Sequence, residues 1–345
     1  MNELKAVEFI ENSFLSKFLF DENITDISYN GENIFYQDNR YGRLKTDLDI
    51  PQETIMDFLR QISNLGEKRF SIQEPILDLS IGKYRINATH PYIGRKNHRK
   101  VPTFSIRIGS EKLRILDDKV FMPTKVERLI KNIIRNKMSI VIGGITGTGK
   151  TELQKYLLTL MDDSTRVLVI DNVLELDSLL IKNDIDLTMW QYDNNKNELS
   201  ISSLVRNALR YNPDWLVVAE SRGEEMLDVL YSALTGHPII TTIHSLNINT
   251  MLSRIVSMVM KADKRPTFKD VKFDVFTHLR VFIFTTKKEV DGTTSRYISN
   301  IMLLGPTNSS TIVYSSDGKC SLYHEINEEL KQDFKLDSEL VKEWR

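Results

Sequence analysis

Residues 139–160 read SIVIGGITGTGKTELQKYLLTL, and this stretch decides the fold. It contains the pattern Gly-x4-Gly-Lys-Thr from Gly144 to Thr151, with a short apolar run before it and leucines at helical spacing after it. A strand, a glycine-rich turn and a helix in this order form a loop that binds phosphate through backbone N–H groups and the helix N-terminus. The stretch therefore predicts a nucleotide-binding α/β domain.

Each residue type in the loop has a physical reason. Glycines let the backbone curl around phosphate without obstruction by Cβ atoms. Lys150 supplies a point charge for the β- and γ-phosphates, and the hydroxyl of Thr151 can bind Mg²⁺. A chance glycine-rich turn is the alternative, and the flanking strand and helix disfavour it. The predicted nucleotide-binding residues are Gly144, Thr146, Gly147, Thr148, Gly149, Lys150 and Thr151.

Short β-branched runs surround this loop in the sequence and alternate with helical patterns. Their residues are apolar on both sides of the strand, as in buried parallel strands. The second part of the chain is therefore predicted to fold around a largely parallel sheet. The runs lie at 139–142, 166–170, 215–218, 239–243 and 281–284.

The first part of the chain shows a mixed pattern of amphipathic helices, predicted at 4–19 and 51–65, and short strands. A polar, proline-containing stretch at 116–125 separates it from the α/β pattern. We predict a smaller α+β domain at 1–115, a linker at 116–125 and a nucleotide-binding domain at 126–345. The basic stretch at 94–100 has two interpretations, a solvated loop or an anion-contacting loop.

Composition excludes several functional classes. Among 345 residues, 46 are basic and 47 acidic, and neither part of the chain is strongly basic, which disfavours broad binding to nucleic acid. One cysteine, Cys320, excludes a disulfide framework and a cysteine-based zinc site, and suits a reduced, cytoplasmic setting. The N-terminus lacks an apolar signal core, and no run is long enough to span a membrane. Membrane contact is therefore expected to be peripheral only.

Carboxylates and histidines follow the later predicted strands. Glu220 ends an apolar run, and Asp171, Asn172 and Glu175 follow another. Ligands in open α/β folds bind at the carboxyl ends of parallel strands, so these acids are candidates for holding Mg²⁺ and orienting water. A helix cap or a solvated turn is the alternative reading for an isolated acid. His237 and His244 flank one predicted strand; they are either donors that sense the γ-phosphate or ordinary capped residues.

The stretch LRYNPDWLVVAESRGEEMLDVLYSALTGHPIITTIHS, residues 209–245, resembles the signature region of the type II/type IV secretion ATPases. That family includes hexameric motors of type IV secretion, tight-adherence pili and type IV pili. The resemblance extends over about residues 10–305 and includes ITDISYNG and FSIR in the first domain. The matching residues of the signature are Leu209, Arg210, Pro213, Asp214, Glu220, Arg222, Thr235, Gly236, His237, Thr242 and His244.

The resemblance implies roles that the residues alone do not give. Glu175 matches the acid that polarises the attacking water, and Glu220 matches the acid that holds Mg²⁺ through water. His237 and His244 match the family's histidine box. The resemblance also implies a RecA-like fold for the second domain, ATP as the nucleotide, and a homo-hexamer acting on a membrane-embedded secretion or pilus platform at the inner face of the membrane.

Three arginines are expected to approach nucleotide across domain or subunit boundaries. Arg206 and Arg210 match arginines that complete a neighbouring subunit's site, and Arg107 lies in the first domain's Ile-Arg motif. Such an arginine stabilises charge in the transition state of phosphoryl transfer. Solvated positions on a helix face, for Arg206 and Arg210, and on a strand surface, for Arg107, are the alternatives.

The chain departs from the family pattern at two places in the predicted site. Asp171-Asn172 stands where the family usually has Glu-Asp, and Ala219 stands where glycine usually precedes the Mg²⁺-binding acid. The zinc-binding cysteines of many pilus-extension ATPases are absent, which favours the type IV secretion and tight-adherence branch. The alternatives to a motor are a nucleotide-gated scaffold with little turnover, a nucleic-acid translocase and, less favoured, a small-molecule kinase.

Overall fold

The computed structural model describes residues 3–109, 113, 115, 118–172, 176, 185–193, 197–263, 265–290, 293–305 and 309–344. The chain divides into two compact units. Unit 1 comprises Met1–Glu111 together with Glu289–Thr294, and unit 2 comprises Lys112–Lys288 and Ser295–Arg345. Residues 116 and 117 of the predicted linker lie outside the described residues, so the proposed linker bounds stay a prediction.

Unit 1 contains a six-stranded antiparallel sheet in the order β3-β2-β1-β8-β5-β4, covered on one face by helices. A small separate hairpin, β6–β7, lies in the chain between β5 and β8. The elements are α1 (Glu3–Glu11), α2 (Ser16–Leu19), β1 (Ile24–Tyr29), β2 (Ile34–Asp38), β3 (Gly42–Lys45), α3 (Gln52–Leu65), β4 (Ile76–Ile81), β5 (Tyr84–Thr89), β6 (Arg95–Lys96), β7 (Arg99–Lys100) and β8 (Thr103–Ile108).

Alternation along the strands of unit 1 explains its single core. Ile27, Ile86 and Ile106 point to the helices and are fully buried, and they pack with Ile10 of α1 and Leu59 of α3. The intervening residues of β8 are exposed, as expected for an antiparallel sheet with only one covered face.

Two sequence predictions in unit 1 need correction. The predicted helix at 4–19 is broken into α1 and α2, because α1 ends at Glu11 and the chain turns. In that turn the Asn12 side chain donates to the Glu8 carbonyl, and the Ser13 hydroxyl accepts from the N–H of Leu15. Such local bonds compete with the helix. The basic stretch at 94–100, predicted to be a solvated or an anion-contacting loop, contains the largely exposed β6–β7 hairpin.

Unit 2 is built on a sheet in the order β11-β10-β12-β13-β9-β14-β15-β16-β17 across the described residues. Its first six strands are parallel, and β15, β16 and β17 continue it as antiparallel neighbours. The strands are β9 (Ile140–Gly143), β10 (Arg166–Asp171), β11 (Asp186–Gln191), β12 (Trp215–Val218), β13 (Ile239–Ile243), β14 (Val281–Val290), β15 (Thr293–Leu304), β16 (Ser310–Ser316) and β17 (Ser321–Tyr323).

Helices cover both faces of this sheet, which is why its central strands are apolar on both sides. One face packs on α4 and α5 with the C-terminal helices, and the other on α6 to α9. The helices are α4 (Thr124–Arg135), α5 (Lys150–Thr159), α6 (Ile201–Ala208), α7 (Met226–Leu234), α8 (Ile248–Ala262), α9 (Phe268–His278), α10 (Glu328–Asp333) and α11 (Ser338–Trp344), with 3-10 turns at Asn197–Leu199 and Leu209–Tyr211.

Candidate nucleotide site

The glycine-rich loop joins the carboxyl end of β9 to the N-terminus of α5, at the centre of the parallel sheet. Gly144 has a φ of 154°, and a Cβ atom there would lie 2.6 Å from the carbonyl oxygen of Thr285. Gly149 precedes the helix with a φ of 93°. No L-side chain suits either position, so the loop's path depends on glycine. The N-terminus of α5, where backbone N–H groups and the helix dipole favour an anion, directly follows this loop.

Lys150 lies within the loop. Its side chain is 9% exposed, and its ammonium donates to the carbonyl oxygens of Gly144 and Ile145, each at 2.9 Å. Thr148 is buried and donates from its hydroxyl to the Ile145 carbonyl at 2.9 Å. The charged group predicted to bind phosphate is therefore held at the loop by the loop's own backbone.

Parallel strand register brings Glu220 and His244 to the same edge of the sheet. Glu220 follows β12, His244 follows β13, and β13 lies between β12 and β9. The hydroxyl of Thr242 donates to the Ala219 carbonyl at 2.8 Å, and the Ser221 N–H donates to the Thr242 carbonyl at 2.9 Å. These bonds fix the backbone on both sides of Glu220.

The Glu220 carboxylate is mostly buried, and it lies between Arg222 and His244. Arg222 Nη2 donates to Oε2 at 2.6 Å, and His244 Nε2 lies 2.8 Å from Oε1. Burial alone would raise the pKa of Glu220, but the hydrogen bond and charge of Arg222, with smaller contributions from His244 and Lys150, hold it below its ordinary value. The carboxylate is therefore ionised at neutral pH.

His244 lies at the phosphate loop. Burial lowers the pKa of its ring, the charge of Lys150 lowers it further, and Glu220 opposes the shift. The ring also interacts with the backbone of Gly144. Because its pKa lies below the ordinary histidine value, the imidazole is neutral at pH 7 and retains one N–H that can serve as a donor.

Few described side chains near the phosphate loop could serve as ligands for a metal ion. Among the described residues, no group of three or more His, Cys, Asp and Glu side chains could hold a metal ion. Glu220 Oε1 is buried yet accepts no aligned hydrogen bond from a described residue, and Thr151 lies in the first turn of α5. This donor set fits Mg²⁺, which keeps several waters and binds one or two protein oxygens together with substrate phosphates.

The predicted water-polarising acid, Glu175, lies outside the described residues. The start of the same segment is described: Asp171 ends β10, is 3% exposed, and accepts the Tyr192 N–H at its carbonyl. Asn172 follows, and its carbonyl accepts from the Gln191 side chain at 2.7 Å. Asp171 and Asn172, which differ from the family pattern, therefore lie at the end of β10. This strand is the neighbour of β12, the strand that Glu220 follows.

His237 is not brought to the phosphate loop of its own chain. It precedes β13, whereas His244 follows it, so the two histidines lie at opposite ends of a five-residue strand. The Thr235 hydroxyl lies 3.1 Å from His237 Nδ1, which ties the ring to the turn after α7. Sequence spacing suggested a pair, but an extended strand separates its ends by about 3.3 Å per residue.

Arg206 and Arg210 have different surroundings. Arg206 pairs with Asp228 of α7 through Nε–Oδ1 at 2.8 Å, although 70% of the arginine side chain is exposed. Arg210 is exposed and lines a groove of about 430 Å³ with Arg166 and Tyr211 at the amino end of β10. That end of the sheet is opposite to the phosphate loop, so Arg210 is not placed at the loop of its own chain.

Arg107 lies on the open face of the sheet in unit 1. It is directly opposite Asp26 on β1 and opposite Arg85 on β5. Two arginines directly opposite in an antiparallel ladder repel each other, and Asp26 on the other side of Arg107 offsets part of that repulsion. Arg85 was missed by sequence reasoning, because only the strand register puts it beside Arg107.

Other residues missed from the sequence lie at the phosphate loop. Arg296 on β15 donates from Nε to the Gly147 carbonyl at 2.8 Å. The Thr285 hydroxyl lies 2.8 Å from that of Thr148. Both come from the chain more than 130 residues after the loop, and no local sequence signal marks them. Only the order of the strands in the sheet, in which β14 and β15 follow β9, brings these two residues to the loop.

The family model for the type II/IV secretion system protein matches residues 97–281, which is more than half of the chain and includes the phosphate loop, Glu220 and both histidines. This chain belongs to the type II/IV secretion system protein family. Its structure contains the RecA-like P-loop domain expected from the sequence.

Curated relatives of this family member cover much of its length. It is 28% identical over 329 residues to an uncharacterized protein of Bacillus anthracis, spanning 94% of this chain and 72% of that protein. It is 29% identical over 203 residues to the conjugal transfer protein TrbB of Rhizobium radiobacter, spanning 56% of this chain and 59% of TrbB.

Solved structures show the same fold. The ATPase DotB of Yersinia pseudotuberculosis matches 99% of this chain and 84% of its own, with a TM-score of 0.60 and 14% identity. The pilus retraction motor PilT with bound ADP matches 82% and 80%, with a TM-score of 0.58 and 17% identity. Within the described part of this secretion-system protein, no helix has both the length and the apolar character of a membrane span.

Proposed function

We propose that this secretion-system family member binds and hydrolyses ATP and works as a homo-hexameric motor for a secretion, conjugation or pilus apparatus. The observation that carries the proposal is the meeting of three groups at one edge of the sheet: the glycine-rich loop, Lys150 and the ionised Glu220. A phosphate cradle alone serves binding, whereas a carboxylate beside it serves hydrolysis.

The nucleotide chemistry assigned to this chain is positioning and charge stabilisation. The loop amides and Lys150 bind the β- and γ-phosphates of ATP, as substrate, and hold them in one orientation. Thr151 and Glu220 would hold Mg²⁺, which neutralises developing charge on the phosphates. The neutral His244 donates a hydrogen bond toward the terminal phosphate. Glu175 is assigned the role of polarising the attacking water.

Arginines from a neighbouring copy are proposed to complete the site. Arg210 is exposed at the sheet edge opposite the loop, where it can reach a second protomer but not its own loop. Arg206 is the weaker candidate, because its in-chain partner Asp228 already uses the guanidinium. Arg107, with Arg85 opposite it on β5, is proposed to contact nucleotide. His237 is proposed to act at a subunit boundary.

The proposed setting is cytoplasmic, at the inner face of the membrane. The relatives named TrbB and DotB are a conjugal transfer protein and an ATPase, and a membrane-embedded platform protein is the corresponding partner for this chain. Membrane contact is peripheral in this proposal. The near-zero net charge of −1 supports a protein partner rather than direct, sequence-specific contact with nucleic acid.

A scaffold that binds nucleotide with little turnover is the second candidate. Asp171-Asn172 at the end of β10 and Ala219 before Glu220 favour it, because both positions depart from the family pattern next to the predicted site. The loop and Lys150 would still bind ATP in that case, since neither departure lies within the loop.

Phosphate release by the wild type, Lys150→Ala and Glu220→Gln distinguishes the two candidates. We expect the wild type to release phosphate, Lys150→Ala to lose tight ATP binding, and Glu220→Gln to bind ATP but turn over at least about 100-fold more slowly. Lys137→Ala is the matched control, because Lys137 pairs with Asp214 before β12 and away from the loop.

Equal phosphate release by the wild type and both site variants would overturn the ATPase proposal and support the scaffold. Unchanged ATP affinity in Lys150→Ala would contradict the assignment of the phosphate loop itself. Stimulation of phosphate release by DNA, lost with rising salt, would instead favour a nucleic-acid translocase on the same fold.

A further inference from the structure

The hairpin formed by β14 and β15 flanks the phosphate loop. Strand β14 pairs in parallel with β9 up to the pair Phe284 and Gly143. At that point β9 ends and its chain turns into the loop, whereas β14 continues from residue 285 to 290. Within unit 2, Thr285 and Lys287 of β14 and Arg296 of β15 therefore lie beside the loop.

The first contact from this hairpin fixes the base of the loop. Thr285 is fully buried, and its hydroxyl donates to the Gly143 carbonyl at 3.2 Å. The same hydroxyl lies 2.8 Å from that of Thr148, which itself donates to the Ile145 carbonyl. Backbone and side-chain atoms of Thr285 also fill the space where a Cβ of Gly144 would lie.

The second contact reaches the middle of the loop. Arg296 Nε donates to the carbonyl oxygen of Gly147 at 2.8 Å, and Gly147 has a φ of 78°. A planar trans peptide points its C=O and N–H in opposite directions. Directing the Gly147 carbonyl toward Arg296 therefore directs the N–H of Thr148 away from the hairpin.

We propose that Arg296 is a positioning residue for the phosphate loop, orienting the Gly147–Thr148 peptide so that its N–H serves the nucleotide phosphates. The proposal rests on the proposed function, in which this loop binds ATP. A charged donor suits the role, because hydrogen bonds from a guanidinium are about twice as strong as neutral ones. Arg296 acts through the loop backbone and takes no part in phosphoryl transfer itself.

Lys287 adds a second positive charge on the side of the loop that Arg296 contacts. Its ammonium lies 3.5 Å from the position of a Cβ built on Gly147. Removing the Arg296 charge would still leave Lys287 beside the loop and Lys150 within it, so a loss of function in an Arg296 variant would report the lost hydrogen bond more than a lost field. Lys288, the next residue, lies close enough to Asp317 to interact with it.

The test compares Arg296→Gln, Arg296→Lys and the control Lys288→Gln, which removes the same charge from the same hairpin. Hydrogen–deuterium exchange is measured on the nucleotide-free protein over residues 144–151, and ATP affinity is measured with Mg²⁺ by calorimetry. We expect Arg296→Gln to speed exchange in the loop and to weaken ATP binding about tenfold. Turnover at saturating ATP should change less than about threefold.

Arg296→Lys should recover part of the ATP affinity, because an ammonium can still donate to the carbonyl but without the fixed geometry of the guanidinium. Lys288→Gln should match the wild type in both measurements. Wild-type loop exchange and ATP affinity in Arg296→Gln would overturn the positioning role. If the wild type itself binds no ATP, the proposed function fails instead. In that case, faster loop exchange in Arg296→Gln than in the wild type would still support the role of Arg296 in holding the loop.

Discussion

The charge state of Glu220 depends on residues from several parts of unit 2. The Glu220 carboxylate follows β12. Its neighbours are Arg222 in the following turn, His244 after β13 and Lys150 at the start of α5. Each neighbour lowers the energy of the carboxylate form against the cost of burial. A buried acid that stays ionised can hold a cation, whereas a protonated acid cannot.

Gly144 is the loop residue with the least freedom to change. We expect Gly144→Ala to abolish ATP binding, because its Cβ would lie 2.6 Å from the Thr285 carbonyl oxygen and 2.7 Å from the Thr148 hydroxyl. The loop would have to move away from the hairpin. ATP affinity and circular dichroism of the variant check the prediction.

Gly42→Ala is the matched control for that substitution. Gly42 also has a positive φ, 79°, but a Cβ there would meet nothing within 4 Å. Only the backbone strain applies, at roughly 1 kcal/mol of unfolding free energy. Full ATP affinity in Gly144→Ala would contradict the close packing of the loop against Thr285.

At the scale of elements, α4 and α5 are joined by Glu127. Its carboxylate contacts Lys131 at 2.7 Å, Lys119 at 2.9 Å and the hydroxyl of Tyr156 on α5 at 2.9 Å. The hydrogen bond from Lys131 contributes most to lowering the pKa of Glu127 to about 2, against the opposing effect of burial. These contacts hold α4 against α5, the helix that follows the phosphate loop.

Glu127→Gln should lower the unfolding free energy by about 1–2 kcal/mol at pH 7, discounted for the exposure of both lysines. The folded pKa of about 2 lies below the ordinary value of 4.5, so the contribution is complete above pH 4.5 and falls as the pH drops toward 2. Urea unfolding at pH 7 and pH 3.5 measures the difference between variant and wild type. A difference that grows at the lower pH would refute this linkage.

Local sequence patterns predicted some elements better than others. The strands at 166–170, 215–218 and 239–243 were found nearly to the residue, because each is short, β-branched and buried on both faces. Strand β11 was missed, since it lies at the edge of the sheet and its residues are largely half-exposed. Its sequence, DLTMWQ, lacks both a continuous apolar run and a clear alternation.

At the scale of the whole molecule, assembly decides whether the arginines at the sheet edge reach a nucleotide. Arg210 lies at the amino end of the sheet, whereas the loop lies at the carboxyl end of β9. Arg210 is therefore not brought to the loop of its own chain, and in the proposed hexamer a second copy would supply it. The hexamer remains a proposal, which the position of Arg210 makes testable.

Arg210→Ala should lower ATPase activity at least about tenfold, because a trans arginine stabilises transition-state charge. Mixing Arg210→Ala with Lys150→Ala should restore part of the activity, since some sites then combine an intact loop with an intact arginine. Light scattering with Mg-ATP should show a hexamer before and after mixing. A persistent monomer, or no recovery of activity in mixed hexamers, would favour the role of Arg210 as a solvated surface residue.

The sequence by itself determined the phosphate loop, the parallel sheet around it and the family, because these depend on local patterns: glycine positions, β-branched runs and motif order. Only the tertiary structure decided which distant groups meet there. It placed Glu220 and His244 beside Lys150, separated His237 from His244 by an extended strand, and added Arg296 from a late hairpin. Strand order sets these neighbours, and it depends on how the whole sheet buries its two faces rather than on any local pattern.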